Sequence, residues 1–155
     1  MQFMDLVPNI VMLLFLFWLA FCFAKMEIAI EGSDGWAGQL PTWRSDKSII
    51  KIITGGHALT GYHLWMNLFI ISAFHVIYVF MAFTLRTELL IFSFYFAFLL
   101  TEDFLWFALN PAYGLRNFRK EVIWWHADHW WLFAPRDYYI SATISAVLYY
   151  LATRL

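Results

Sequence analysis

The stretch Trp124-Trp125-His126-Ala127-Asp128-His129-Trp130-Trp131 sets two histidines three residues apart among four tryptophans. On a helix, residues i and i+3 are neighbours, so both imidazoles would face one point. Tryptophan favours the membrane–water boundary, where its ring stays apolar and its N–H stays wet. Two acids, Glu102 and Asp103, interrupt a long apolar run, and Glu27 follows another. A carboxylate inside a membrane segment costs about 2.5–3.5 kcal/mol on insertion scales, so it needs a partner or a task. Two adjacent acids also cannot both stay ionised unless a cation lies close by. Imidazole nitrogen with carboxylate oxygen is the ligand set of zinc, iron and manganese. Carboxylates with an i, i+3 histidine are also the inventory of di-iron sites in helical bundles.

The elements that must position these residues are membrane helices. The chain has 155 residues, of which 63% are hydrophobic and only 14% charged, with a mean hydropathy of +0.64. A soluble domain is nearer half apolar and a quarter charged. A single domain is expected over residues 1–155, an all-α integral membrane bundle of four transmembrane helices. The apolar runs place the spans at about 6–31, 62–85, 89–109 and 138–155, each near the length that crosses a hydrocarbon core of about 30 Å. The first run reads as a retained helix rather than a signal peptide. No Lys or Arg precedes it, and Lys25-Met26-Glu27 stands where a small-residue cleavage site would fall. Gly32 is its expected stop, Arg86-Thr87-Glu88 the turn between the second and third spans, and Asp137 the cap of the fourth. Interfacial helices are expected in the two long connections, one of them over Ser48 to Ile53. Ser141 with Ser145 and Ala142 with Ala146 would let helix backbones approach closely in lipid.

Orientation follows from the basic residues. Lys25, Arg44, Lys47 and Lys51 belong to the first long connection, and Arg116, Arg119, Lys120 and Arg136 to the second. Only Arg86 and Arg154 lie on the other side, so eight of the ten Lys and Arg put both connections in the cytoplasm and both termini outside. Four acids, Glu27, Glu31, Glu102 and Asp103, and four histidines, His57, His63, His126 and His129, then meet at one end of the bundle. His75 lies about 18 Å along the helix from His63 at 1.5 Å per residue. It cannot share that site, and a hydrogen bond to the helix of Ser93 or Ser145 is expected instead. Glu31 alone reads as part of a solvated face.

A net charge of −1 and a pI near 6.5 exclude a nucleic-acid role, which would need a basic face. The single cysteine, Cys22, permits neither an internal disulfide nor a CxxC site. No P-loop, GxSxG or dinucleotide fingerprint is present. In outline the plan resembles the membrane fatty-acid desaturases and hydroxylases. The chain carries neither of their histidine boxes, HxxxH and HxxHH, and is not identified as a member.

The expected function is a metal-dependent membrane enzyme, hydrolytic or oxygenase- and desaturase-like, on a lipid or other apolar substrate at the cytoplasmic interface of a bacterial-type inner or plasma membrane. Its expected cofactor is a divalent metal, zinc or iron. The metal ligands would be drawn from His126, His129, Glu102, Asp103, His63, Glu27 and His57, with Glu102, Asp103 and His63 as catalytic groups. Two alternatives stand beside it. One is a non-enzymatic subunit whose acids pair with Lys25, Arg116 and Arg119 and whose aromatic surface docks partner helices or a second copy of the chain. The other is a proton or ion carrier through Glu102, Asp103 and His63.

Overall fold

A computed structural model describes residues 3–47 and 57–155, with side chains from residue 10 onward. The chain is mostly helical. Among the described residues the α-helices are α1 (Phe3–Glu31), α2 (Gly61–Phe74), α3 (Leu85–Leu109) and α4 (Arg136–Ala152). Two two-residue antiparallel pairings decorate them. Strand β1 (Arg44–Ser45) meets β2 (Leu59–Thr60), and β3 (Trp130–Trp131) meets β4 (Ala134–Pro135). Three stretches, Ile10–Glu31, Gly61–Val79 and Leu85–Leu109, are long and apolar enough to cross a membrane. With 17 residues, α4 reaches about 26 Å at 1.5 Å per residue, short of the roughly 20 residues a full span needs.

Several boundaries differ from expectation, each for a local reason. The second helix does not run to Leu85. It tightens at His75 into a 3₁₀ segment, His75–Val79, and the chain turns over residues 80–84. Arg86-Thr87-Glu88 is therefore not the turn but the first turn of α3. Thr84 stands before it, and its hydroxyl accepts the Thr87 N–H at 3.1 Å, a side-chain cap. Asp137 does not cap α4; Pro135 holds that position, and Asp137 falls in the first turn, where a carboxylate complements the helix dipole. The second connection contains short 3₁₀ helices, Leu115–Asn117 and Trp124–His129, in place of α-helix. The surface segment expected over Ser48 to Ile53 lies outside the described residues.

Helix α3 is the axis on which the others pack. Its buried side includes Ile91, Phe98, Glu102, Leu105 and Trp106. Leu16, Ala20, Ala24 and Glu27 of α1 recur every three or four residues and are all buried, one continuous stripe. Ala20 and Ala24 have no bulk to hold the helices apart, so Glu27, one turn further on, is brought against α3. On the other side α4 comes just as close. Ser93 Oγ donates to Ser145 O and Ser145 Oγ to Ser93 O, both at 2.9 Å. Without a hydrophobic force between helices in lipid, close packing and such reciprocal bonds are what hold them.

Gly32 ends α1 in the left-handed conformation, φ 66°, as a helix stop commonly does. Asn110, just past α3, donates through Nδ2 to Gly32 O at 2.7 Å, and Tyr113 Oη donates to Ser33 O at 2.7 Å. The ends of α1 and α3 are thereby locked side by side.

Candidate functional site

Each packed helix delivers a polar side chain to the same end of the bundle. Glu27 and Glu102 bring their carboxyl groups close enough to act on one another, and both residues are 6% exposed. Tyr62, in the first turn of α2, donates its hydroxyl to Glu27 Oε1 at 3.0 Å. Tyr138, in the first turn of α4, donates to Asp103 Oδ2 at 2.5 Å. The second oxygen of the pair, Glu102 Oε1, is buried with no hydrogen-bond partner among the described residues. Two buried carboxyls in contact require a shared proton or a cation between them.

Histidines stand beside the two neighbouring acids, Asp103 and Glu31. His126 sits in the 3₁₀ segment Trp124–His129, its Nε2 4.0 Å from Asp103 Oδ2. At three residues per turn, His129 falls on the same side of that segment as His126, although it is only half-buried. His63 Nε2 lies 4.0 Å from Glu31 Oε1. Glu31 is not on a solvated face: its side chain is 6% exposed, and Oε1 accepts the Ala37 N–H at 2.7 Å. Trp36 is a spacer between imidazoles. Its ring centroid is 4.5 Å from that of His63 and 4.6 Å from that of His57, and His57 in turn meets His126 edge-on at 6.0 Å.

The loop that carries Trp36 is held under strain. Trp36 and Ala37 both take positive φ, 58° and 52°, which is uncommon for residues with a Cβ. The Arg44 guanidinium fixes this turn by donating to the carbonyls of Trp36, Ala37 and Gly38, and Trp36 Nε1 donates to Ala58 O at 2.8 Å. Gly35 lies against Trp125, where an added Cβ would run into the indole ring. Trp125 also stacks on Phe107 at 5.7 Å. That contact ties the strained loop, the histidine segment and α3 into one wall.

The four acids, His63, Trp36, Phe107 and Trp125 line a cavity of about 700 Å³. Glu27, Glu31, His63, Glu102, Asp103, Arg136 and Asp137 supply its charge-bearing groups, and Leu64, Met66, Leu99, Phe107 and Ile140 are among its apolar walls. Sequence reasoning missed Tyr62, Tyr138, Trp36 and Arg136. The two tyrosines had a signal, since each stands in the first turn of a helix at the level of the acids. Trp36 and Arg136 had none beyond composition.

Burial first, and then the neighbouring His126 and His129, push His57 down from its ordinary 6.5 to about 4. Between those values the unfolded chain binds a proton that the folded chain refuses, so stability falls as pH drops from 6.5 towards 4. His57→Gln should flatten that part of the curve, read as melting temperature against pH beside wild type. An unchanged slope would remove His57 from the account.

His75 stands apart from this site, as its depth requires, but its partner is not Ser93 or Ser145. Its Nδ1 meets Ile71 O at 2.6 Å and its Nε2 meets Glu88 Oε1 at 3.2 Å, while Tyr78 Oη donates to Glu88 Oε2 at 2.8 Å. The early start of α3 is what brings Glu88 within reach, and Ser93 is already taken by Ser145.

Among the described residues no three His, Cys, Asp or Glu side chains are grouped to hold one metal ion. Nor do Lys25, Arg116 or Arg119 make an ion pair with the four acids among those residues; the pairs there are His63–Glu31, His75–Glu88, His126–Asp103 and Arg136–Asp137. Comparison with family models, characterised proteins and solved structures finds no match to this chain.

Proposed function

We propose that this chain is an integral membrane enzyme that holds a divalent cation, zinc or iron, on its buried carboxyls and acts on a lipid or other apolar substrate at the cytoplasmic face. The observation that carries the reading is the Glu27–Glu102 pair. Two carboxyls in contact, one oxygen unpartnered, and no Lys or Arg paired with them among the described residues make a site that asks for a cation. The donor set of carboxylate oxygen and imidazole nitrogen suits zinc or iron. Glu27 and Glu102 would hold the ion, with Asp103 and His126 beside them. A cation there would supply Lewis acidity or an activated water, for hydrolytic or oxidative chemistry. Of the chain's own groups, Tyr62 and Tyr138 orient Glu27 and Asp103. The Asp103–His126 pair is placed to move a proton at His126 Nε2, and the apolar cavity walls exclude bulk water.

The test compares metal-loaded with chelator-treated protein in vesicles of natural lipid extract, following every lipid species by mass spectrometry. Metal-dependent loss of one class with gain of another supports the enzyme; identical lipid profiles across all three metals, zinc, iron and manganese, would sink it.

The proposal includes a topology in which α4 is a short fourth span and both termini lie outside. Helix α4 follows α3 from the level of Asp103 to that of Ser93, which supports its crossing beside a helix that is itself long enough. Cysteines placed at Ser45 and Asn117 should react with an impermeant reagent only after permeabilisation, and one at Gln2 without it. Ready labelling of Ser45 in intact cells would reverse the orientation.

A further inference from the structure

Thr60 is fully buried and stands just before α2, where its Oγ1 accepts the His63 backbone N–H at 3.1 Å. The same oxygen lies 2.7 Å from His63 Nδ1. A buried hydroxyl has one hydrogen to give and must find an acceptor for it. Among the described residues His63 Nδ1 is the acceptor within reach, so the hydroxyl donates to Nδ1 and the ring proton resides on Nε2. The pairing of Arg44 with Thr60 across β1 and β2 and the Trp36 ring stacked at 25° on the imidazole hold this arrangement in place. The ring nitrogen that faces the cavity is thus a donor, with no lone pair to offer a metal.

Its neighbour across the cavity wall is an acceptor. Glu31 Oε1, fixed by the Ala37 N–H, lies 4.0 Å from His63 Nε2. That is too far for a direct hydrogen bond, yet an oxygen about 2.8 Å from each closes the triangle. Such an oxygen must accept from His63 and donate to Glu31, which a hydroxyl group does and an ether, ester or ketone oxygen does not. The surrounding walls, Leu59, Leu64, Met66 and Leu99 among them, are apolar. We propose that His63 and Glu31 form a clamp for the hydroxyl of an alcohol-headed apolar substrate, with Thr60 as the positioning residue that sets the His63 tautomer. As a substrate subsite this rests on the reading of the cavity as an active site.

The experiment uses the metal-free full chain in detergent micelles, labelled with ¹⁵N in its histidine rings, with His63 assigned by its loss in His63→Gln. Wild type should show protonated Nε2 and bare Nδ1 at His63. Thr60→Ser should keep that tautomer, and Thr60→Val should lose it. Because Thr60→Val also removes the helix cap, wild type and Thr60→Ser decide the matter if it does not fold. Titration with 1-dodecanol should shift the His63 Nε2–H resonance at about tenfold lower concentration than its methyl ether, the effect of one lost hydrogen bond. Protonated Nδ1 in wild type would overturn the tautomer. Equal response to alcohol and ether, with water as the bridging oxygen, would overturn the clamp. Neither readout needs bound metal, so failure of the metal reading leaves this test intact.

Discussion

Glu102→Gln is expected to abolish divalent-cation binding and to leave the metal-free bundle at least as stable as wild type. Glu102 is 6% exposed and its carboxyl faces that of Glu27, with no Lys or Arg paired to either among the described residues. Without metal, the pair is a repulsion between desolvated groups, or one neutralised by a borrowed proton. The amide removes the charge and offers N–H donors to Glu27, relieving a cost of about 1–3 kcal/mol for an uncompensated buried group. In a chain of this size that raises the melting temperature by roughly 2–12 °C, at about 2–4 °C per kcal/mol. Asp103→Asn should behave differently, because Asp103 already accepts from Tyr138 and faces His126. Had the acids been structural partners of Lys25 or Arg116, each amide would instead strand a cation and destabilise by several kcal/mol. Melting curves of metal-free wild type and both amides separate the two outcomes. A clear fall for Glu102→Gln would return the acids to a structural role.

Phe107→Ala should be the most damaging single truncation near the site. Phe107 is 1% exposed. It stacks on Trp125, meets His126 at 6.3 Å and Phe118 at 5.4 Å, and touches Tyr113 at 5.8 Å. Truncating a buried Phe costs about 3–5 kcal/mol through lost contacts and the cavity left behind. That is roughly 6–20 °C in melting temperature. The 3₁₀ segment 124–129 loses its floor as well, so hydrogen exchange there should accelerate beyond that of α1. Phe80→Ala, at a position 81% exposed, serves as the control and should stay within about 0.5 kcal/mol of wild type. Equal losses at Phe80 and Phe107 would mean that the wall described around Trp125 does not hold the site.

Much of the framework is legible in the sequence because membrane burial writes long, unmistakable patterns. The runs ending at Glu31 and Leu109 are long and mostly apolar despite Glu27 and Glu102-Asp103, and Gly32 and Asn110-Pro111 stop them where the structure does. Arg86-Thr87-Glu88 is polar and reads as a loop, whereas the Thr84 cap makes those residues a helix start. The end of α2 at Phe74 left no trace, since His75 to Val79 is as apolar as the helix before it. Of the site, the convergence of acids and histidines at one end could be argued from topology alone. What joins them could not. The Glu27–Glu102 contact depends on two alanines allowing close approach, and the His63 environment depends on Trp36 in a left-handed turn and on Thr60 across a two-residue strand pairing. These are tertiary facts with no periodicity to announce them.

The claim on which the rest depends is that the buried carboxyl pair holds a divalent cation. Its most direct test is the metal content of wild-type protein, extracted in mild detergent without chelator, alongside Glu102→Gln prepared identically. The account predicts bound zinc or iron in wild type, at about one ion per chain, and none above background in the variant. Wild type that takes up no zinc, iron or manganese, even after equilibration of the apo protein with each, would contradict it.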